Sequence, residues 1–513
     1  MTERFVRCLC LAGLFYLGPW VDLAKGAFFY LFRGNPVEQV LAPVIVGHLA
    51  MAALLFLLAP VALRLPRLLL ILPGTCLFLW SIHEMLDHSF DFWVRVLFVS
   101  PVTLGAVALL LLASLYCGWR HGEKVLRFYS ALLLIAGFPL AILVFNSFYQ
   151  VTRVSSERFR DRPPLPFEPQ GKPAPMRIIW VIFDEMSYTM LRDLPNFARL
   201  RQESFNATNA QAPGEHTKLS LPALTTGSEV VEANPLGPDD LVLKSPDGSE
   251  RRWSQLPNIF NDARQWFSSQ GIAAKIGVAG WYNPYGRIFG HRLQEYYVTG
   301  YSSPDGAPEV PMSPGFASLT YNLWEGRLRS LAALFRIPGI DPDGQLRRRR
   351  AENFDYLRAH SLRMAADAQF GLLLIHLPIP HPPAVSTDGS RLASNLALTD
   401  HMLGDLYKAA DLSRTVLIVS SDHPMRHFLW RLFREHFHND EMDFIGAHQD
   451  KRIPFFVRLP GAAGSHEYTK PLATIYTRAL INGVLRGELA DYSALAAWFD
   501  QTTASRPGPP TSP

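Results

Sequence analysis

Cysteine is scarce in this sequence of 513 residues and is confined to its first quarter. The four cysteines are Cys8, Cys10, Cys76 and Cys117, so no later residue can form a disulfide or supply a thiolate. A disulfide framework, a Cys-rich zinc cluster and a cysteine nucleophile are therefore excluded from the larger part of the chain.

Charge is also sparse. Charged residues make up 18% of the sequence and the net charge is +4, which argues against a nucleic-acid-binding protein that depends on neutralising phosphates. Hydrophobic residues make up 48% and aromatic residues 12%. This composition is typical of membrane spans joined to a folded soluble domain.

The apolar residues are concentrated at the N-terminus. Each of five stretches before residue 150 is about as long as a membrane-crossing helix: residues 5–24, 38–62, 66–83, 97–117 and 126–148. We therefore predict a transmembrane domain over residues 1–150. We expect the first span to be retained, since Pro19, Trp20 and Asp22 stand where a signal peptide would have small residues at its cleavage site.

The basic residues of the connecting loops predict the orientation of these spans. Sorting by alternate loops places more of them on the side of the N-terminus (Arg4, Arg7, Arg64, Arg67, Arg120, Lys124, Arg127) than on the other side (Lys25, Arg33, Arg95). The N-terminus is then cytoplasmic and the chain after residue 150 lies outside the cytoplasm. In a bacterium this is a multi-pass inner-membrane protein with a periplasmic or extracytoplasmic domain.

A connector over residues 151–175 separates the membrane part from the rest. Its first half carries Arg153, Arg158, Arg160 and Arg162, which suits a helix at the lipid head groups or a solvated segment equally well. Its second half is rich in proline and predicts a stiff linker. We place a soluble domain over residues 176–500 and a disordered tail rich in Pro, Ser and Thr over residues 501–513.

Short apolar runs alternate with helical patterns in the soluble domain. The runs cover residues 178–183, 273–279, 372–375, 415–420 and 454–459, and the helical patterns cover residues 256–270, 353–364 and 395–410. This alternation predicts an α/β domain with a mostly parallel sheet and helices on both faces. Sites in such sheets form at the carboxyl ends of the strands.

Two of these runs end in polar side chains. Asp184 and Glu185 follow the first run, and Asp422 and His423 follow Ser421 at the end of another. Such residues often only cap the next helix. Carboxylates and an imidazole at one edge of a sheet can also bind a divalent cation.

A third segment, from Glu215 to Gly227, carries a candidate nucleophile. We expect Pro222 in the first turn of a helix with Ser220 as its cap, so that Thr217 lies just before the helix. An anion is favoured at such a position, and a nearby metal would activate the Thr217 hydroxyl. The alternative is a turn with an ordinary helix cap.

The three segments together resemble the signature blocks of the sulfatase-like branch of the alkaline phosphatase superfamily. The sulfatase block reads Cys-x-Pro-Ser-Arg-x-x-x-x-Thr-Gly, and Thr217 falls on its nucleophile position, with Ser220, Thr226 and Gly227 matching. The resemblance covers about residues 176–460. Five spans before such a domain resemble the phosphoethanolamine transferases and lipoteichoic acid synthases.

The resemblance implies roles for individual residues. Asp184, Thr217, Asp422 and His423 would bind one divalent metal ion, zinc or manganese, with a second metal left open, and Thr217 would be the nucleophile. Glu185 would be a further ligand or a surface residue.

Other residues would then contact the substrate. His381 would be catalytic, as a substrate or leaving-group histidine, and we favour it over His376, which we expect to be more buried. His376 and Lys218 would be substrate-binding. Arg287 would bind a phosphate group bidentately; the alternative is that it belongs to a structural turn.

The sequence also departs from the sulfatase pattern. Thr217 replaces the cysteine that sulfatases oxidise, and Leu221 replaces the arginine of the block, so phosphoryl chemistry is favoured over sulfate-ester hydrolysis. Pro424 replaces the usual glycine after the Asp-His pair. No downstream basic residue of the family can be assigned among His427, His436, His438 and His448.

These observations predict a membrane-embedded transferase. It would move phosphoethanolamine or phosphoglycerol from a phospholipid donor to an extracytoplasmic lipid or glycan acceptor through a phospho-Thr217 intermediate, with no nucleic-acid partner. One alternative is a phosphodiesterase, phosphatase or sulfatase-like hydrolase with the same site. Another is a lipid-binding regulatory membrane protein without catalysis.

Overall fold

The structure is a computed structural model that describes residues 1–30, 41–62, 66–89, 101–300, 320, 323–328, 344–382, 392–432 and 439–504. The chain divides into two compact units. The membrane unit comprises Met1–Glu157 and Pro311–Gln345, and the soluble unit comprises Arg158–Val310 and Leu346–Pro513.

The membrane unit contains five helical segments in its described N-terminal part: α1 (Thr2–Phe15), α2 (Leu17–Lys25), α3 (Ala42–Ala62), α4 (Arg67–Ser89) and α5 (Pro101–Arg153). Within the described residues, two stretches are long and apolar enough to cross a membrane, Ala42–Val61 and Tyr116–Arg153. The pair α1 and α2 adds a third if it forms one span bent by 68°. The prediction of five spans is therefore not confirmed.

Backbone breaks explain much of the difference from the hydropathy pattern. The expected fourth and fifth spans fall largely within the single segment α5, which loses helical geometry at His121. The expected first span is broken at Tyr16, between α1 and α2. The Phe15 carbonyl would bond to the N–H of residue 19 in a continuous helix, but Pro19 has no N–H. The Arg327 Nε donates to the Phe15 carbonyl instead, at 3.2 Å, and the Arg327 guanidinium lies 4.5 Å from the centre of the Trp80 ring.

The soluble unit is built on an eight-stranded sheet. Its strands, in spatial order, are β10 (Glu295–Thr299), β9 (Lys275–Trp281), β11 (Phe370–Pro380), β2 (Arg177–Asp184), β12 (Thr415–Ser421), β14 (Phe455–Arg458), β3 (Phe205–Ala207) and β15 (His466–Tyr468). All neighbours pair in parallel except β14, which is antiparallel to both β12 and β3.

The sheet is therefore mixed, and the expectation that the run over residues 454–459 is a parallel strand is wrong. A run that is buried on both faces has the same apolar pattern in either direction. Direction is decided by the connection that leads into the strand, which the pattern does not report.

Three smaller sheets surround the large one. They are formed by β1 (Lys172–Pro173) with β8 (Ile272–Ala273), by β4 (Ala210–Gln211) with β13 (Arg452–Ile453) and β16 (Leu472–Ala473), and by β5 (Glu232–Pro235) with β6 (Leu241–Lys244) and β7 (Glu250–Arg252).

The helices of the soluble unit are α6 (Pro195–Gln202), α7 (Thr217–Thr226), α8 (Ile259–Ser269), α9 (Tyr285–Phe289), α10 (Gly344–Ala366), α11 (Leu392–Ala409), α12 (His427–Leu432), α13 (Asn439–Ala447), α14 (Thr477–Leu485) and α15 (Tyr492–Ala504). The last helix includes residues 501–504, which composition assigns to a disordered tail; residues 505–513 lie outside the described part.

The central strands β2, β11 and β12 are buried along their whole length, as their runs of Ile, Val and Leu require. Phe197 of α6, Leu357 of α10 and Leu403 of α11 pack into the core that also contains Ile179 and Val181 of β2. This burial fixes the strands so that their carboxyl ends lie at one edge of the sheet.

Candidate active site

The register of three neighbouring strands brings two carboxylates and an imidazole together. Ser421 of β12 pairs with Phe183 of β2, so Asp422 and Asp184 leave the sheet side by side. His376 of β11 pairs with Ile182 of β2. One ligand atom from each of Asp184, His376 and Asp422 lies within 4.8 Å of the others, and all three residues are buried.

This cluster has the properties of a cation site. Among the described residues, no hydrogen bond reaches either Asp184 carboxylate oxygen or His376 Nε2. The Tyr285 hydroxyl lies 3.1 Å from His376 Nδ1, and the tautomer that donates from Nδ1 leaves the Nε2 lone pair for a cation. Buried polar atoms without a partner are costly, so oxygen and nitrogen atoms that converge in this way suit zinc or manganese.

Thr217 and His423 border the same cluster. The Thr217 hydroxyl donates a hydrogen bond of 2.8 Å to Asp422 Oδ2 and lies 3.5 Å from His423 Nε2. His423 Nε2 is 3.3 Å from Asp184 Oδ1. The structure thus brings together all four residues that the sequence assigns to the metal site, and it adds His376.

With its carboxylates ionised and its histidines neutral, the cluster carries negative charge that no other member of the cluster balances. Burial and the neighbouring Asp184 raise the pKa of Asp422. Burial disfavours the charged form of His423, but Asp422 and Asp184 outweigh it and raise the pKa of His423 to about 9. Both shifts follow from the burial of two carboxylates side by side, an arrangement that a proton or a bound cation would stabilise.

The helix that carries Thr217 begins earlier than expected. Helix α7 starts at Thr217 itself, with His216 at the N-cap position, and Pro222 lies in its interior. The Ser220 hydroxyl donates to the Gly214 carbonyl at 3.0 Å and does not cap the helix. The prediction of Ser220 as the cap is therefore wrong, because a proline pattern locates a helix start only to within about a turn.

Glu185 belongs to a different group of side chains. Its Oε1 accepts hydrogen bonds from the Arg426 backbone N–H (2.7 Å), Arg426 Nε (3.0 Å) and the Trp430 indole (2.8 Å), and its Oε2 accepts from Arg426 Nη2 (3.0 Å). Burial by itself would raise the pKa of Glu185, but Arg426 and His381 lower it to about 2. In this arrangement the Glu185 carboxylate is not one of the converging ligands.

His381 lies against this second group. Its Nε2 is 3.3 Å from Glu185 Oε2 and 3.2 Å from Arg426 Nη2. His376 is 0% exposed and His381 5% exposed, in the order expected, and burial lowers the pKa of both. The two histidines therefore differ in their neighbours: His376 is placed with the candidate metal ligands and His381 with Glu185.

The two other residues assigned to substrate binding, Lys218 and Arg287, lie on different helices beside the site. Lys218 is the second residue of α7, next to Thr217, and its half-buried position lowers its pKa. Arg287 is buried in α9, the same short helix that presents Tyr285 to His376.

Sequence reasoning missed His376 as a ligand and missed Arg426 and Trp430 entirely. The available signal was the position of His376 at the end of a long apolar run, like Asp184 and Asp422. Arg426 follows Asp422 by four residues, but its contact with Glu185 depends on the path of the chain after both strands.

No protein-family profile and no curated protein matches the sequence. Several solved structures are similar to the chain. A sulfatase of glycosaminoglycan metabolism from Bacteroides thetaiotaomicron is 14% identical with a TM-score of 0.39, covering 62% of this chain and 78% of its own. The phosphonate monoester hydrolase of Agrobacterium radiobacter is 12% identical with a TM-score of 0.35, covering 61% and 74%.

The lipoteichoic acid synthase LtaP from Listeria monocytogenes is 11% identical with a TM-score of 0.34, covering 62% of this chain and 74% of its own. A protein of the alkaline phosphatase superfamily from Vibrio parahaemolyticus is also among the similar structures. At this distance, functional conclusions rest on the geometry of the site.

Proposed function

We propose that the protein is a metal-dependent, membrane-bound transferase that moves a phospho-head group through a phospho-Thr217 intermediate. The observation that carries the proposal is the Thr217 hydroxyl, which donates a hydrogen bond to Asp422 inside a buried cluster of carboxylates and imidazoles. In this cluster both Asp184 carboxylate oxygens and His376 Nε2 lack hydrogen-bond partners among the described residues. A hydroxyl at the start of a helix beside such a cluster can act as an activated nucleophile, which supports the proposal.

Asp184, His376, Asp422, His423 and Thr217 would hold the metal. A zinc or manganese ion there would lower the pKa of the Thr217 hydroxyl and offset negative charge on the phospho group. Side chains of the protein carry out the nucleophilic attack and the proton transfers.

In the first step, Thr217 Oγ1 attacks the phosphorus of a phospholipid. The new bond joins Oγ1 to phosphorus, the bond from phosphorus to the diacylglycerol oxygen breaks, and that oxygen takes a proton from solvent. The Thr217 proton passes to Asp422 Oδ2, which already accepts its hydrogen bond.

In the second step, an acceptor hydroxyl attacks the phosphorus of phospho-Thr217. The new bond joins the acceptor oxygen to phosphorus, and the bond from phosphorus to Thr217 Oγ1 breaks. Burial lowers the pKa of His381 well below its usual value, so His381 is neutral at pH 7 and suits the removal of a proton from the acceptor. Thr217 then regains its proton from Asp422. We assign His381 this role in preference to protonation of the leaving group.

The membrane unit supports a lipid donor, because its apolar helices would hold the chain at the surface where phospholipids lie. We propose phosphoethanolamine or phosphoglycerol as the head group, a lipid or glycan as the acceptor, and a location on the outer side of a bacterial cytoplasmic membrane. The orientation rests on the distribution of basic residues in the loops.

The proposal is tested with the full-length protein in vesicles of mixed bacterial phospholipids. Release of diacylglycerol is measured for the parent, Thr217→Ala and Thr217→Ser, with and without zinc or manganese. We expect metal-dependent release by the parent, partial release by Thr217→Ser and none by Thr217→Ala. Full release by Thr217→Ala would overturn the proposal. A head group recovered only in free form would identify the hydrolase alternative.

A further inference from the structure

Beside the candidate metal cluster lies a buried ion pair that neither the nucleophile nor the metal ligands use. Glu185 is completely buried, and among the described residues its carboxylate forms ion pairs with Arg426 and, if it is protonated, with His381. Glu185 also adopts a positive φ of 63°, a backbone conformation that is uncommon for a residue with a side chain. This placement calls for an explanation.

The contacts of the pair fix the guanidinium rigidly by one edge. Arg426 Nε and Nη2 each donate to a different oxygen of Glu185 at 3.0 Å, a bidentate arrangement. Nη2 also lies 3.2 Å from His381 Nε2. Within the described part of the chain, Nη1 has no hydrogen-bond partner, and the side chain is 26% exposed. The Arg426 side chain is therefore partly exposed, while one edge of its guanidinium is fixed by Glu185.

The residue that holds the guanidinium also contacts the reacting groups. The backbone N–H of Glu185 donates to Asp422 Oδ1 at 3.1 Å, and Asp422 Oδ2 accepts the Thr217 hydroxyl. Glu185 therefore connects Arg426 to the carboxylate beside the nucleophile. The charge of Arg426 also acts on Asp184, Asp422 and His423, and on His216 directly before Thr217.

We propose that Arg426 binds a non-bridging oxygen of the phospho group through Nη1, and that Glu185 is the positioning residue that holds the guanidinium for this contact. The inference rests on the proposed function and names a further substrate-binding residue for it. Negative charge on the phospho oxygens increases as Thr217 attacks. A hydrogen-bond donor that is already fixed in position therefore stabilises the transition state more than a mobile donor does. A planar guanidinium can bind Glu185 by one edge and an anion by the other, which an ammonium group cannot.

The test uses the full-length, metal-loaded protein and inorganic phosphate as the probe. Phosphate binding is measured by calorimetry, together with metal content and thermal midpoint, for the parent, Arg426→Ala, Arg426→Lys and Glu185→Gln. The matched control is Arg478→Lys, since Arg478 makes a similar bidentate pair with Asp262 and is 24% exposed, but belongs to α14.

We expect phosphate to bind about tenfold to a hundredfold more weakly to Arg426→Ala, with metal content unchanged. Arg426→Lys keeps the charge but not the bidentate geometry and should lose at least about fivefold. Glu185→Gln should lose less than Arg426→Ala, because the guanidinium remains but is held less firmly. Arg478→Lys should bind phosphate like the parent.

A folded, metal-loaded Arg426→Lys or Arg426→Ala protein with phosphate affinity within twofold of the parent would overturn the inference. If Thr217→Ala releases diacylglycerol normally, the proposed function fails, whatever the phosphate result. If Thr217→Ala is inactive and the Arg426 variants bind phosphate normally, only the role of Arg426 fails. A metal-loaded parent that binds no phosphate would overturn both.

Discussion

Two groups of buried charged side chains lie next to each other in the soluble unit, and they are neutralised in different ways. Glu185 receives four hydrogen bonds from Arg426 and Trp430. Asp184, one residue earlier, receives none from the described residues, and the nearby His376 Nε2 is equally without a partner. The first group has its charges and hydrogen bonds matched among the described residues, whereas the second has the geometry that a bound cation would complete.

The difference shows how adjacent carboxylates can acquire different functions. Asp184 ends β2 in extended geometry and its carboxylate meets Asp422 and His376, while Glu185 turns through a positive φ towards Arg426. Because the backbone changes direction between these two residues, Asp184 is a candidate metal ligand and Glu185 is a positioning residue.

Disrupting the candidate metal cluster should have the largest effect on activity. Asp422→Asn removes a ligand and the acceptor of the Thr217 proton, so we expect head-group release to fall about a thousandfold or more. Metal content, measured by mass spectrometry of the metal, should fall with it. An Asp422→Asn protein that keeps both its metal and its activity would contradict the assignment.

Disrupting the contacts of Glu185 with Arg426 should instead reduce the stability of the protein. Arg426→Ala leaves the Glu185 carboxylate buried without its main partner, and we expect the free energy of unfolding to fall by about 3 kcal/mol. The value is at the lower end for a buried pair because Arg426 is partly exposed. Denaturant unfolding in detergent measures it, with Arg199→Ala, which breaks the exposed pair with Glu203, as the control. Equal stability of the two variants would contradict the account.

The two histidines sharpen the comparison. His376→Gln should lose metal, whereas His381→Gln should keep its metal and slow transfer to the acceptor by about a hundredfold. Metal content and the rate of transfer separate the two outcomes. If His381→Gln lost metal and His376→Gln kept it, the assignment of these histidines would be reversed.

The smallest expected effect is that of Asp184→Asn in the metal-free protein. This change removes the repulsion that raises the pKa of Asp422, but it also removes the ion pair between Asp184 and His423. The two contributions oppose each other, so stability should change by less than about 1 kcal/mol, whereas Glu185→Gln removes only attraction to Arg426 and should lower stability more. Thermal midpoints of both variants in chelator compare the two effects, and adding metal should stabilise the parent but not Asp184→Asn.

Much of the candidate site could be predicted from the sequence because it lies where apolar runs stop. Asp184, Asp422 and His423 each follow a run of Ile, Val or Leu, and parallel strands place such ends at one edge. His376 could not be assigned as a ligand in the same way. Its role depends on the register of β11 against β2, and one apolar run does not fix its alignment with another.

The features that the sequence did not reveal depend on backbone direction or on distant contacts. The antiparallel direction of β14 and the positive φ of Glu185 leave no periodic pattern. In the membrane unit, hydropathy detected the apolar segments but not the breaks at Tyr16 and His121. Hydropathy sums over a window, and a break is decided by one or two residues within it.

The most direct test of the central claim is a search for the covalent intermediate. The full-length protein is mixed with metal and bacterial phospholipids, quenched in acid within seconds, digested and analysed by mass spectrometry, with Thr217→Ala treated in parallel. The account predicts a phospho-head-group adduct on the peptide that contains Thr217 in the parent and none in Thr217→Ala. Transfer of the head group by the parent without any adduct on Thr217, or with the adduct on another residue, would contradict it.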